Sequence, residues 1–164
     1  MNERIKMSEK VENLDGYERL AAAIVLCAAQ DYREAYGNIY FYNGYNDFEK
    51  GKKAILEKIK TIRAKEKELL DEKEKAEKEK WQRHYHGQPI SKELRDKPRK
   101  LYLILESVYK EDRKYTGYIS EIYSFNEFIH SDWYDMITTI NGDFLKRSME
   151  REARNGNIKG FKGI

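Results

Sequence analysis

The residues from Asp47 to Trp81 have the composition and spacing of one long helix. Its first part carries apolar side chains at near-helical intervals, namely Phe48, Ile55, Ile59, Ile62 and Leu69. Its second part, 73–80, is almost entirely Lys and Glu, and Glu–Lys pairs three and four residues apart stabilise an exposed helix. Asp47 is a suitable N-cap. The pattern predicts a helix of about 47–81 that is docked along its first part and solvated at its end.

This helix also allows a functional interpretation. A heptad spacing runs from Ile55 to Ala76, but Glu66 and Lys73 interrupt it, so a strong coiled coil is not predicted. The alternative to a partly solvated helix is a helix that pairs with a second copy, giving a homodimer, or that reaches a different partner.

The remaining apolar spacing is also helical, and the composition agrees. The chain has 164 residues, 37% of them charged and only 2 prolines, while 13 Tyr argue against a disordered chain. We therefore expect an all-α fold: a compact helical bundle with a long charged helix and a short aromatic loop or hairpin. We expect a single domain, 1–164, with a helical framework (14–36 and 118–155) and an elaboration, 37–117, between its two parts.

Capping residues and glycines predict the ends of the other helices. Asp15 is the expected N-cap of the first helix, and Gly37 its expected stop. Pro98 suits the first turn of a later helix that Gly117 ends. Further helices are expected from 118 to 129, after the N-cap Ser131, and after the N-cap Asn141.

An aromatic segment, 37–46, follows the first helix. Its Gly and Asn residues predict either a short strand pair or an irregular loop. The rings either cover the end of the helical core or form a partner-binding surface, because Tyr gives large contact area at low entropic cost. The candidate contact residues here are Tyr40, Tyr42 and Tyr45.

A second group of candidate contact residues follows the long helix, in a segment predicted to be mainly a polar loop, 81–97. It comprises Trp81, His84, Tyr85 and His86. Two histidines without further ligands at a defined spacing do not predict a metal site. Binding at both groups would rest on aromatic anchors ringed by charge.

No sequence pattern predicts catalysis or a cofactor. The chain lacks a phosphate-binding G-x-x-x-x-G-K-[ST] loop, and the neighbours His130, Ser131 and Asp132 do not face one another productively on a helix. The single cysteine, Cys27, is expected to be a buried small hydrophobe. We therefore expect neither an enzyme nor a bound metal.

Charge and hydropathy bear on the partner and the compartment. Two segments, 50–80 and 146–164, each carry an excess of four positive charges, which makes nucleic acid the alternative partner to a protein. No apolar stretch is long enough to span a bilayer, and one cysteine fits a reducing compartment. We expect a cytoplasmic protein that does not bind membranes.

Two stretches resemble small uncharacterised accessory proteins of phages, prophages and mobile elements of Gram-positive bacteria. The family pattern has an Asp-Tyr-Arg helix end, a later aromatic pair, a Ser-x-Trp step and an Asp-Gly turn before a final helix. The matching residues are Asp31, Tyr32, Arg33, Phe128, Ser131, Trp133, Gly142 and Leu145. The sequence departs from the pattern at Asn141, where the family has an acidic residue, and at His130, where it has a basic one.

The resemblance implies a genomic setting, that of phages and mobile elements, rather than a particular activity. Accessory proteins of this size often bind and block a host protein or ribonucleoprotein, and inhibitors of bacterial immune systems, including anti-CRISPR proteins, are one such class. We therefore expect a non-catalytic protein that binds a macromolecule in the host cytoplasm, with a nucleic-acid-binding accessory protein as the alternative.

Overall fold

The computed structural model describes residues 16–156, and every regular element in this range is helical. The helices are α1 (Gly16–Tyr40), a 3-10 turn (Tyr42–Gly44), α2 (Phe48–Tyr85), α3 (Lys92–Ile129), α4 (Asp132–Ile137) and α5 (Gly142–Arg154). The prediction of an all-α fold is confirmed. The aromatic segment, 37–46, does not form the strand pair that was one of its two predicted alternatives. Its first residues belong to α1, which continues to Tyr40, and the rest is a short connection with a single 3-10 turn.

The chain divides into two compact units. The first unit contains the described residues of 1–52 and 118–164, and the second contains 53–117. The described residues of the predicted framework, 14–36 and 118–155, belong to the first unit. The expected N-cap Asp15 lies outside the described residues.

The first unit is built around an aromatic core. Tyr32 of α1 is 1% exposed and stacks on Phe125 of α3, with ring centroids 4.3 Å apart. Tyr36 stacks in turn on Phe48, at 4.5 Å. We use "aromatic core" for the buried cluster Val25, Ala29, Tyr32, Tyr36, Phe125, Ile129, Tyr134, Leu145 and Ala153. Burial of these side chains supplies the main favourable free energy of folding for this unit.

Polar contacts join α5 to α1 beside this core. The Tyr32 hydroxyl donates to Glu150 Oε1 at 2.6 Å, and Arg154 Nη1 donates to the Tyr36 hydroxyl at 3.3 Å. Arg33 and Glu152 form an ion pair at 3.6 Å. The contacts fix the rotation of α5, whose Leu145 and Ala153 enter the core.

Side-chain caps define three helix starts where the sequence predicts them. The carboxylate of Asp47 accepts from the Lys50 amide at 2.9 Å. The Ser131 hydroxyl accepts from the Tyr134 amide, and Asn141 Oδ1 accepts from the Phe144 amide. Each cap satisfies one of the unpaired amides of a first helical turn.

Two glycines permit close contact between backbones in the first unit. A Cβ atom on Gly51 would overlap the carbonyl oxygen of Ile39, and one on Gly142 would lie 2.7 Å from the Ile129 Cβ. Any larger residue would force the neighbouring segments apart.

The second unit is a helical hairpin, residues 53–117, in which α2 and α3 run antiparallel. Lys58 pairs with Glu111 at 3.4 Å, and the Lys73 ammonium lies 5.5 Å from the centre of the Tyr102 ring. The buried side chains of the hairpin are Ile55, Ile59, Ile62, Ala76, Leu94, Leu101, Leu105 and Val108. They follow the three- and four-residue spacing that the sequence shows.

Several predicted helix ends are wrong. Gly37 is a buried residue inside α1, and Gly117 lies inside α3 with open space where a Cβ atom would be. Pro98 is the seventh residue of α3 rather than part of its first turn, because Ser91 caps the helix earlier. The segment predicted as a polar loop, 81–97, is mostly the end of α2 and the start of α3.

The prediction that Cys27 is buried is also wrong, because its thiol is exposed. The buried residues of this part of α1 are Ala21, Val25 and Ala29, four residues apart. Cys27 is two residues from both Val25 and Ala29, a rotation of roughly 200° around the helix, so it faces away from them.

Candidate functional site

The two predicted groups of contact residues lie in different units. Tyr40, Tyr42 and Tyr45 belong to the first unit, and the group that begins at Trp81 belongs to the second. Each group is therefore described by itself.

The first group is mostly part of the packing around the aromatic core. Tyr40 is half-buried against that core, 6.2 Å from Tyr36, and its ring meets Phe41 edge to face at 4.9 Å. Tyr42 is also half-buried, whereas Tyr45 is 48% exposed. Of the three tyrosines, only Tyr45 is exposed.

The backbone between α1 and α2 explains this arrangement. Asn43, Gly44 and Asn46 have positive φ angles of 51°, 71° and 50°, which Gly and Asn adopt most readily. The Asp47 amide then donates to the Tyr40 carbonyl at 3.1 Å and closes the turn. The chain thus reverses within a few residues and places Phe48 on Tyr36.

The second group contains the most exposed aromatic pair of the hairpin. Trp81 is 64% exposed and Tyr85 is 72% exposed, yet their rings lie parallel, with centroids 5.3 Å apart and 14° between their planes. The pair exists because α2 continues to Tyr85, so that residues four apart lie on one face of the helix. The Tyr85 ring also meets the His86 ring edge to face, at 5.3 Å.

Arg83 holds the turn that follows α2. Its Nη1 donates to the carbonyl of Pro89 at 3.3 Å, and its Nε pairs with Glu79 at 3.4 Å. Amides of His86 and Gln88 donate back to carbonyls of the last turn of α2. His84 and His86 are both exposed. The turn is thereby tied to the helix that carries the Trp81–Tyr85 pair.

Positive charge is concentrated in the same part of the chain. We call residues 78–100 the hairpin tip: the end of α2, the turn and the beginning of α3. The hairpin tip has eight Lys and Arg against three Asp and Glu, a net charge of +5, whereas the whole chain has +3. Six of these eight cationic residues are exposed, namely Lys78, Lys92, Arg95, Lys97, Arg99 and Lys100.

An open depression of about 360 Å³ lies on the α3 side of the hairpin tip. It is lined by Ser91, Glu93, Leu94, Lys97 and Lys100. Its lining carries two lysines against one glutamate, an excess of one positive charge, around a single leucine.

The sequence indicated only some of the features of the hairpin tip. The aromatic and histidine residues are noticeable, but their stacking depends on α2 extending past Trp81. Ser91 was the signal for the true start of α3, since its hydroxyl accepts from the Leu94 amide at 3.2 Å. The positive segments found by sequence, 50–80 and 146–164, include only the first residues of the charged hairpin tip.

Two general findings concern the residues 16–156. Within this range no group of three or more His, Cys, Asp or Glu side chains is placed to hold a metal ion. None of the helices described has the combined length and apolar character needed to cross a bilayer.

Comparisons of the chain with protein-family models, with curated proteins and with solved structures give no match. The resemblance to phage and mobile-element accessory proteins stays a prediction that rests on the two stretches of sequence. One part of it changes in the structure: Asp31, Tyr32 and Arg33 lie inside α1 rather than at its end.

Proposed function

We propose that this protein is a non-catalytic accessory protein that binds a host macromolecule through the hairpin tip and blocks it. The observation that carries the proposal is the parallel Trp81–Tyr85 pair, exposed at the end of a hairpin with an excess of five positive charges. Large exposed aromatic side chains that do not serve the core are typical of binding surfaces.

The hairpin tip has the features of a preorganised contact surface. The two rings are already stacked on each other. Arg83 of α2 pairs with Glu79 of the same helix and donates to Pro89 in the adjacent turn, which holds that turn to the helix. Binding of a partner therefore costs these side chains less conformational entropy than it would if they moved independently. The lysines around the pair would steer an acidic partner towards it.

The resemblance to phage and mobile-element proteins supplies the setting of this proposal. In that setting the blocked macromolecule is a host protein or ribonucleoprotein in the cytoplasm, and a bacterial immune complex of the CRISPR type is the specific candidate. A blocking protein needs a stable surface rather than a reaction centre, and the hairpin tip provides one.

The test uses a bacterium with active CRISPR immunity against a phage. We expect expression of the protein to restore phage plating, and we expect Trp81→Ala with Tyr85→Ala to abolish that effect. Affinity capture from the same cells, with mass spectrometry, identifies the bound complex.

Tyr17→Ala is the matched control, because Tyr17 is an equally exposed tyrosine (71%) in the first unit. It should leave both plating and capture unchanged. If the double variant restored plating as well as the wild type did, the hairpin tip would not be the blocking surface.

A further inference from the structure

We infer that the hairpin tip binds a single strand of nucleic acid, with an unpaired base on the Trp81–Tyr85 pair and the phosphates on the surrounding lysines and arginines. The inference rests on the proposed function and names the chemistry of the partner at the same site. The strand is either free in the cell or the exposed part of a ribonucleoprotein.

The aromatic pair fits a base better than it fits a protein side chain. A base is a flat aromatic ring, and it stacks on tryptophan or tyrosine whatever its sequence. The two parallel rings, 5.3 Å apart by their centroids, already form a short stack that another ring can extend. A protein anchor would instead need an enclosed apolar pocket, whereas the depression described at the hairpin tip is open and has three charged side chains in its lining.

The positions of the cations fit a backbone that passes the aromatic pair. Lys78 lies three residues before Trp81, so helix geometry places it on the same face of α2 as the two rings. On α3, Lys97 and Lys100 line the depression, and Arg95 and Arg99 are exposed nearby in the chain. Phosphates spaced along a strand can therefore meet cations from both helices.

The hairpin tip is more basic than the rest of the chain taken together. Outside 78–100 the chain has 24 Lys and Arg against 26 Asp and Glu, a net charge of −2. A polyanion is thus attracted to the hairpin tip and gains nothing from the overall charge of the remaining residues. Five of the eight tip cations are lysines. Lysine is depleted in protein interfaces but is a usual partner of phosphate.

A single strand is favoured over a duplex because the bases of a duplex are already stacked and paired. A ring platform on one helix can accept a base only after that base leaves its neighbours, which costs free energy in a duplex but little in a single strand. The hairpin tip should therefore prefer unpaired DNA or RNA to a blunt duplex of the same length.

The experiment measures fluorescence anisotropy of labelled strands with the full chain. The probes are a DNA strand of about twelve thymidines, the RNA equivalent, a duplex of equal length and a strand of equal length without bases; this length lies within the usual site sizes. We expect the two single strands to bind at least about tenfold more tightly than the baseless strand. We also expect affinity to fall steeply with rising salt.

Variants separate the two parts of the site. Trp81→Ala or Tyr85→Ala should weaken binding of the thymidine strand about tenfold and leave binding of the baseless strand unchanged. Lys97→Gln with Lys100→Gln should weaken both and reduce the salt dependence. The control Lys65→Gln with Lys67→Gln removes the same charge from exposed positions of α2 outside the hairpin tip, and it should change little.

A spectroscopic readout tests the stacking directly. The chain has two tryptophans, so Trp133→Phe leaves Trp81 as the only tryptophan. Quenching of its fluorescence by the thymidine strand but not by the baseless strand is the expected result.

The possible failures are distinguishable. Equal binding of the thymidine and baseless strands would overturn base stacking, and no binding to any strand at low salt would overturn the inference entirely. If the wild type bound no strand and yet captured a protein complex that the Trp81→Ala, Tyr85→Ala variant does not capture, the proposed function would stand, with a protein surface as the partner. If the wild type neither bound a strand nor captured a complex, both the inference and the proposed function would be overturned.

Discussion

Tyr32 and Tyr134 are both buried tyrosines of the aromatic core, but their hydroxyl groups differ. The Tyr32 hydroxyl donates to Glu150, whereas the Tyr134 hydroxyl is buried without a hydrogen-bond partner among the described residues. Removing a satisfied hydroxyl costs a hydrogen bond, while removing an unsatisfied one relieves a desolvation cost. The two positions therefore form a matched pair for mutation.

We expect Tyr32→Phe to lower the free energy of unfolding by about 1–3 kcal/mol, because the lost hydrogen bond has a carboxylate acceptor. Tyr134→Phe should leave it unchanged or raise it by up to about 1 kcal/mol. Urea unfolding of the three proteins at neutral pH measures both effects. An equal loss for the two variants would show that the Glu150 contact contributes nothing.

The same tyrosines predict an alkaline limit to stability. Burial raises the pKa of Tyr32 far above its usual value, with the hydrogen bond to Glu150 as a further cause, and burial also raises the pKa of Tyr36 and Tyr134. In the unfolded chain these hydroxyls ionise near pH 10, so the unfolded state gains stability above that pH while the folded state does not. Stability should be constant with respect to these groups below about pH 10 and fall above it.

The measurement is the free energy of unfolding against pH from about 8 to 11, compared between the wild type and Tyr32→Phe. The variant lacks one of the hydroxyls whose pKa is raised in the folded state, so its free energy of unfolding should fall less steeply above about pH 10. Parallel curves would contradict the assignment of the decline to Tyr32.

Gly51 and Gly117 make a second matched pair. A methyl group on Gly51 meets the backbone of Ile39, whereas one on Gly117 meets nothing within 4 Å. We expect Gly51→Ala to lower the free energy of unfolding by about 3 kcal/mol or more, and the midpoint of thermal unfolding with it. Gly117→Ala should instead raise stability by about 0.5–1 kcal/mol, since alanine favours the helix. Circular dichroism on heating distinguishes the two signs.

At the scale of the helices, the sequence predicted type and caps better than it predicted ends. Apolar spacing identified the helical segments, and Asp47, Ser131 and Asn141 cap helices as expected. Gly37 and Gly117 failed as stops because glycine lowers helix stability by only about 1 kcal/mol, which packing of the rest of the helix offsets. That context is tertiary and does not appear in a local pattern.

The same limit applies to the site. Sequence reasoning selected Trp81, His84, Tyr85 and His86, but it placed them in a loop where no mutual geometry follows. Once α2 is known to reach Tyr85, the four-residue spacing of Trp81 and Tyr85 gives the stack. The concentration of charge between 78 and 100 appears only when the two helix ends are counted together.

Ala76 provides a test of how the hairpin is held together. It is 3% exposed, although the residues on either side of it are charged and exposed. Ala76→Glu would bury an unpaired carboxylate and should lower hairpin stability by about 1–3 kcal/mol. Lys75→Glu, at the exposed neighbouring position, should have a much smaller effect. Hydrogen exchange of amides within 53–117 reports the local difference.

At the scale of the whole molecule, the first unit is discontinuous and the second is inserted into it. Lys52, at the end of the first segment, lies with its ammonium 5.5 Å from the centre of the Tyr123 ring, near the start of the second segment. We therefore expect that a short linker can join the two segments in place of 53–117. The core residues named above all lie outside the deleted range.

We expect a variant with 53–117 replaced by a short glycine-rich linker to unfold cooperatively on heating and to lose nucleic-acid binding. Cooperative unfolding with strand binding retained would contradict the assignment of binding to the hairpin tip. A non-cooperative transition would show that the first unit depends on the hairpin for its stability.

The hydrogen bond between Tyr32 and Glu150 joins residues 118 positions apart, and this separation affects the order of folding during synthesis. The whole hairpin, 53–117, precedes α5 in the sequence and is synthesised first, and its own ion pairs close within 53–117. Contacts of short separation also form faster than distant ones. The nascent chain can thus display its basic tip before the aromatic core is complete, although the first residues of that core are made before the hairpin.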